Sequence, residues 1–482
     1  MIPTHAFSGV LTRTLLRATA HSASVQVAPA RSFSTTHSHA FKSSVSRSLF
    51  GSSLNKVATH TYGHQHQQQN LAKITASVIR ARFQSTVSAA ATNSAATASA
   101  TAAATATKAV PDMVVKPVVG HWMLTISAMT FGIVVVGGMT RLTESGLSIV
   151  EWNLIKGMKP PRSQAEWEEE FEKYKQFPEY KVLNHKMTLE EFKRIFYYEW
   201  SHRMLGRAIG AAFILPGLFF AARGMLSKNI ARRSLVIGSL IGFQGVLGWY
   251  MVKSGLDEQL MEPGATPRVS QYRLAAHLGS AFLIYTGALM TGLKILTDNK
   301  VSQGAYESLA AAINNPALKR FKGAAHGIVA LVFITAVSGA FVAGLDAGLV
   351  YNEFPTMGGR LVPPVKELFD DHFLKKGDHP TIGLWRNMFD NQVTATTTFT
   401  AVSALFLYSR GLPLPPHIRL GVNALMGVAF CQVGLGIATL LYMVPVSLGT
   451  AHQAGSLTLL TAALYLMHSL KKVPVLKKIP LK

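Results

Sequence analysis

The sequence predicts an all-α polytopic membrane protein: eight transmembrane helices arranged as two pseudo-symmetric four-helix bundles, preceded by a disordered N-terminal extension. Three observations point there. Only 15% of the 482 residues are charged and the mean hydropathy is +0.24, whereas soluble domains carry about 25% charged residues. Beyond Asp112, apolar runs recur at roughly the 17–25 residues a helix needs to cross hydrocarbon. Motifs from the first half of that region return in the second.

The extension comes first. The formal net charge is +23, yet no acidic residue precedes Asp112, and Arg13, Arg17, Arg31, Arg47, Arg80 and Arg82 are scattered among Ser, Thr, Ala and His. An Arg-rich, Ser-rich, acid-poor start reads as a mitochondrial transit peptide over residues 1–85. Residues 86–117, mostly Ala, Thr and Ser, read as a disordered linker that cannot bury a core. Dispersed arginines argue against a nucleic-acid partner, which usually meets blocks of basic residues. Cys431 is the only cysteine, so neither an internal disulfide nor a Cys-ligated cluster forms.

The expected spans are Val118–Met139, His202–Ala222, Ser234–Val252, Leu274–Leu293, Gly323–Gly344, Thr394–Tyr408, Gly421–Val446 and Leu448–His468. The first four belong to a unit over 118–300 and the last four to a unit over 301–482. The even-numbered loops and the C-terminal tail hold sixteen Lys/Arg and two acids, whereas the odd-numbered loops hold eighteen bases and twenty-one acids. The positive-inside rule then puts both termini in the matrix of an inner mitochondrial membrane protein and the two long odd loops in the intermembrane space.

Gly138–Leu147 echoes Ala340–Leu349, Gln244–Gly248 echoes Gln432–Gly436, and Ala276-His277 echoes Ala451-His452. Each half has an even number of spans, so the repeats run parallel, related by an axis along the membrane normal.

Ionisable residues within spans are expensive and usually functional. His202 and His277 are expected at similar depth near the outer ends of spans two and four, as bis-axial ligation of a haem iron requires. Zinc would want three or four ligands, which the bundle does not supply. Gly206, Gly210, Gly279 and Gly287 leave room for a flat macrocycle. Arg203, Arg207 and Arg273 are candidates to pair with propionates, because the guanidinium fork matches a carboxylate. Glu199 lies one helical turn before His202, placed to orient an imidazole or handle protons. His326 reads as a helix-end residue, and His185, His372, His379 and His417 as loop residues.

Glu199-Trp-Ser-His202-Arg203-Met-Leu-Gly-Arg207, Gly137-Gly-Met-Thr-Arg141-Leu-Thr-Glu-Ser-Gly146, Gly344-Leu-Asp346-Ala-Gly-Leu-Val-Tyr351-Asn-Glu-Phe-Pro355 and Thr450-Ala-His452-Gln453 together resemble the mitochondrial heme A synthases over about 118–468. The resemblance implies an enzyme that oxidises the C8 methyl of heme O to the formyl of heme A for cytochrome c oxidase. It implies substrate-iron ligation by His202 and His277 and a part in the oxidation for Glu199. A heme B cofactor would sit on His452 in the second unit. Implied partners are a mitochondrial ferredoxin and its reductase as electron donors, and heme O synthase as supplier; membrane lipid surrounds the chain, and a homo-oligomer stays open. A b-type electron-transfer cytochrome without turnover is the alternative, needing the histidines but not Glu199.

One departure stands out. The family has a His-Arg pair at the start of span six, and Trp385–Phe399 has no histidine, so the expected second heme B ligand is absent. The apolar block Thr394–Tyr408 is also short, about 22 Å at 1.5 Å per residue. Both observations suggest that roughly eight to ten residues are missing between Asp390 and Thr396, the length that would restore a full span.

Overall fold

The computed structural model describes residues 114–471 except 154–155, 263–266, 306, 351, 357–358 and 361–390. The transit reading for 1–85 and the linker reading up to 113 lie outside the described residues, as do His372 and His379; at the end of the expected linker, Val115 is instead buried in a core and Pro117 begins a helix.

Eight long helices account for most of the chain: α1 (Pro117–Leu142), α2 (Leu189–Ala222), α3 (Lys228–Gly255), α4 (Gln271–Ser302), α5 (Lys319–Gly344), α6 (Asn391–Arg410), α7 (Pro416–Leu441) and α8 (Val446–Ser469). Among the described residues there are helices and no strands, and six helices are long and apolar enough to cross a membrane: α1 to α5 and α7. The other two expected spans form helices of 20 and 24 residues. Threonines in α6 and Thr450, His452, Gln453 and Ser456 in α8 lower their apolar character. At 1.5 Å per residue, α6 is about 30 Å long, because the mostly polar Asn391–Val393 and Ser409–Arg410 lengthen the helix beyond the apolar block. The helix reaches that length only with polar ends, and it is not among those apolar enough to cross a membrane.

Helix ends follow local chemistry. α2 begins thirteen residues before the expected span, fixed by a capping box in which Thr188 and Glu191 satisfy each other's backbone amides. Its first turns stand on an aromatic cluster of Trp167, Phe171, Tyr174, Phe192 and Phe196, built with the short helices Gln164–Lys175 and Pro178–Val182. α7 stops at Leu441, before Met443 and Val444 turn the chain with positive φ.

Within residues 117–302, α1 packs on α2 and α4, and α3 on α2 and α4. Residues 319–469 repeat this: α5 packs on α6 and α8, and α7 on α6 and α8. α4 also meets α5, α8 meets α1, and α4 meets α8. One core holds Trp122, Met123, Ile126, Phe213 and Ile284; Trp122 Nε1 donates to the Ala212 carbonyl at 2.9 Å, pinning α1 to α2. Another holds Phe321, Leu425, Leu457 and Leu460. Tyr285 of α4 and Thr461 of α8 share a hydroxyl hydrogen bond of 2.6 Å. Leu215, Leu218, Leu235 and Phe243 are exposed, as residues facing lipid are.

Candidate functional site

A largely apolar cavity of about 1510 Å³ opens between the helices, lined by His202, His277 and His452 together. That exceeds the ~300–1,000 Å³ of ordinary ligand sites. Gly210, Gly242 and Gly245 line it with open space where a side chain would stand.

His202 of α2 and His277 of α4 face each other with ring centroids 6.5 Å apart. Two imidazoles on one metal, each bonded at about 2.0–2.1 Å with about 1.1 Å more from nitrogen to ring centre, separate their centroids by roughly 6.3 Å. Each ring also leaves its Nδ1 buried without a partner. With Nδ1 enclosed in both rings, Nε2 is the nitrogen each can offer to a metal between them. The residues therefore fit an iron porphyrin held between two helices.

Each histidine is seated on a glycine. A Cβ at Gly137 would lie 2.9 Å from His202 Cε1, at Gly248 3.3 Å from His277 Cε1, and at Gly436 2.9 Å from His452 Cε1. The duplicated motif explains two of the seats. Gln244 Nε2 donates to the His277 carbonyl at 2.8 Å, and Gln432 Nε2 to the His452 carbonyl at 2.9 Å. Four residues after each glutamine comes the glycine that receives the ring. Sequence alone exposes the repeat, not the job of either residue.

The counterpart of Gly137 by the repeat is Gly339, which also lines the cavity. Beside it Ser338 meets Thr394 at 3.3 Å, and Thr335 meets Thr398 at 2.6 Å. Ala395 and Phe399 of α6 face the cavity here. His452 thus has no histidine opposite it among the described residues of α6.

Glu199 is 3% exposed and lines the cavity. Its Oε2 accepts from Ser148 Oγ at 2.8 Å and the Ile149 amide at 2.7 Å, and its Oε1 from Arg203 Nε at 3.0 Å and Nη2 at 2.6 Å. None of these bonds goes to His202. Arg203 continues to the carbonyls of Glu151 and Ile149 and lies over the Trp152 ring. Arg207 donates to the Asn153 carbonyl at 2.9 Å. Arg273 donates to the Tyr250 carbonyl at 2.7 Å and stacks on that ring, away from the cavity lining. Glu199, Arg203 and Arg207 thus fasten the segment Ser148–Asn153 across one end of the site.

Residues not anticipated from sequence complete the lining: Arg141, Glu144, Glu179, Arg268 and Asp346. Burial pushes the Glu179 carboxyl up to about 8, although the Tyr174 hydroxyl, donating at 2.9 Å, pulls the other way. His326 is exposed about two turns inside α5 rather than at its end, its Nδ1 2.7 Å from the Lys322 carbonyl.

A bundle of apolar helices that aims paired, seated imidazoles into a macrocycle-sized cavity defines a membrane protein of the haem-handling class. Residues 120–464 match the COX15-CtaA family, described as cytochrome oxidase assembly protein. The chain is 49% identical over 368 residues to heme A synthase COX15 of Homo sapiens, covering 76% of this chain and 86% of that one. It is 46% identical over 367 residues to the Saccharomyces cerevisiae protein of the same name, covering 73% and 75%. A heme A synthase-mitochondrial ferredoxin fusion protein of Schizosaccharomyces pombe is 46% identical over 377 residues, covering 75% of this chain and 61% of the fusion. The chain belongs to this heme A synthase family, as a mitochondrial membrane enzyme of heme A biosynthesis.

Proposed function

We propose that the chain oxidises the C8 methyl group of heme O to the formyl group of heme A, with the substrate iron between His202 and His277 and a heme B held by His452. The observation that carries this reading is the 6.5 Å separation of the two rings. The iron porphyrin supplies the redox chemistry when bound; the protein binds, orients and excludes water. α2 and α4 fix the imidazoles, and Gly210, Gly242 and Gly245 leave room for a flat ring. Glu199 and Arg203 hold Ser148–Asn153 over the outer end, which keeps water from the reacting methyl group. Arg203 and Arg207 act on the propionate end as positioning residues, through the Ile149, Glu151 and Asn153 carbonyls they hold, whereas Arg273, held on Tyr250 away from the cavity lining, takes no part in it.

We read α6 and α8 as further spans, completing two pseudo-symmetric four-helix units. Two features support this: the same packing pattern recurs in both halves, and each Gln–Gly motif serves an equivalent histidine. Charge asymmetry of the loops favours the inner membrane with both termini in the matrix and the site toward the intermembrane space. The fusion relative supports a ferredoxin donor, with its reductase upstream and heme O synthase as the source of substrate.

The test is conversion of heme O by the purified, reduced protein, followed by chromatography of extracted haems. His202→Ala and His277→Ala each abolish heme A formation; full conversion by either variant defeats the reading. A b-type cytochrome would bind haem in this assay and form no heme A.

A further inference from the structure

A haem brings two propionates, and the cavity presents four arginines to it: Arg141, Arg203, Arg207 and Arg268. Arg203 spends its donors on Glu199 and two loop carbonyls, and Arg207 reaches the Asn153 carbonyl. The other two differ. Arg141, at the end of α1, gives Nη2 to the Ala343 carbonyl at 2.7 Å and to Asp346 Oδ1 at 3.0 Å. Arg268 places Nη1 on Asp346 Oδ2 and Nη2 3.6 Å from Glu144 Oε1. In both arginines the Nε is buried without a hydrogen-bond partner.

The two carboxylates are not equally sheltered. The side chains of Arg141, Arg268 and Asp346 are 17%, 29% and 23% exposed, whereas that of Glu144 is 51% exposed. Two guanidinium groups thus share one sheltered carboxylate, with a second at the solvent edge. Glu179 beside them is largely protonated near neutral pH and adds little negative charge. Two sheltered guanidinium groups with unused Nε donors facing one sheltered carboxylate, at the wall of an apolar cavity, form a site for an anion. Arg141 lies one helical turn beyond Gly137, the seat of His202, and Asp346 follows α5 of the other half, so the cluster stands at the seam of the two repeats.

We propose that Arg141 and Arg268 form a carboxylate-binding pair that takes a haem propionate at this seam. The proposal rests on the haem reading above, and the carboxylate can come from either of two sources: the haem between His202 and His277, or the one on His452.

The test titrates the full-length purified protein with iron protoporphyrin IX and, separately, with its dimethyl ester, reading Soret absorbance. The wild type binds the free acid about tenfold or more tighter than the ester, the scale of one charge-assisted hydrogen-bonded pair. Arg141→Gln and Arg268→Gln bring acid affinity down toward ester affinity and leave the ester unchanged. Arg141→Lys and Arg268→Lys, which keep the charge facing Asp346 but remove Nε, reduce the preference too, and cover the case in which a Gln variant misfolds. Repeating the titration in His277→Ala and His452→Ala, each of which leaves one site, identifies the haem whose acid preference depends on the pair. Equal binding of acid and ester by the wild type, or an acid preference that survives in all four arginine variants, overturns the proposal while leaving the haem reading intact. Absence of any haem binding overturns both.

Discussion

Gly137 and His202 are in contact so close that any side chain on Gly137 would meet the imidazole: a Cβ there comes within 2.9 Å of Cε1. The neighbouring Gly138 makes the equivalent approach to Gln453 of α8, whose Nε2 donates to the Val134 carbonyl at 2.9 Å. Two successive glycines of α1 thus receive one ring of the first half and the residue after His452 in the second. Gly137→Ala is expected to displace the His202 ring by a few tenths of an ångström and to cost about 1–3 kcal/mol, the usual range for overpacking. Haem bound between His202 and His277 should lose affinity roughly tenfold or more, with its low-spin absorption weakened. Gly436→Ala should do the same for haem on His452 alone. Soret titration in the two variants checks this; an unaltered spectrum in Gly137→Ala would mean that the ring has slack.

Glu199 makes a second prediction, because the carboxylate is saturated by donors rather than waiting for one. Glu199→Gln leaves Arg203 facing a neutral amide and replaces an acceptor with a donor beside the Ile149 amide. Breaking one side of a buried pair costs about 3–5 kcal/mol; retention of the amide oxygen puts the expected loss near the lower end. Ser148→Ala removes one hydrogen bond and should cost about 1 kcal/mol. Thermal unfolding in detergent measures both, and limited proteolysis should find Ser148–Asn153 more readily cut in Glu199→Gln. Heme A formation should fall in that variant while haem still binds; undiminished formation would remove Glu199 from the reaction.

Glu179 predicts a pH dependence whose sign is fixed by its environment. Its carboxyl is raised from the 4.5 of a freely solvated glutamate to about 8 in the fold, chiefly by burial. Between those values the folded chain holds a proton that the unfolded chain has released, so this group's stabilising contribution is complete below about pH 4.5 and declines as pH rises toward 8. Glu179→Gln should flatten that decline in a melting-temperature series from pH 5 to 9. Tyr174→Phe removes the hydrogen bond that lowers the carboxyl, so the decline should extend to higher pH. A slope unchanged in Glu179→Gln would assign it to other groups.

The sequence reveals spans well where the reason for a helix is the bilayer, and poorly where it is something else. α5 ends at Gly344 as expected, because an apolar run ends there. The thirteen extra residues of α2 owe their helicity to a capping box and an aromatic cluster rather than to an apolar run, although Thr188 and Glu191 carry the capping signal openly. His202, His277 and His452 were legible because histidine is rare in spans and two of the three are repeated. The roles of Arg203 and Arg207 were not: their charge suggests an anionic ligand, whereas folding lays loop carbonyls against them. Arg141 and Asp346 lie 205 positions apart in different repeats, and no local pattern records such a contact. The Gln–Gly seats were visible as repetition, but only the packed helices reveal what they hold.

The last prediction comes from the asymmetry that remains. His452 has its glycine seat and its glutamine, as His277 does, yet α6 offers Ala395 and Phe399 to the cavity where α2 offers His202 and Gly206. Haem held there by one imidazole should be five-coordinate and high-spin, and should bind carbon monoxide readily. The haem between His202 and His277 should be six-coordinate and low-spin. Thr394 and Thr398 meet Ser338 and Thr335, and Ala395, next to Thr394, lines the same cavity as Gly339, the counterpart of the seat under His202. Ala395→His should therefore convert the high-spin fraction toward low-spin in electron paramagnetic resonance and suppress carbon monoxide binding, and His452→Ala should remove that fraction altogether. A wild-type spectrum that is wholly low-spin with two haems bound would mean that a residue outside α6 supplies the second ligand to the His452 haem.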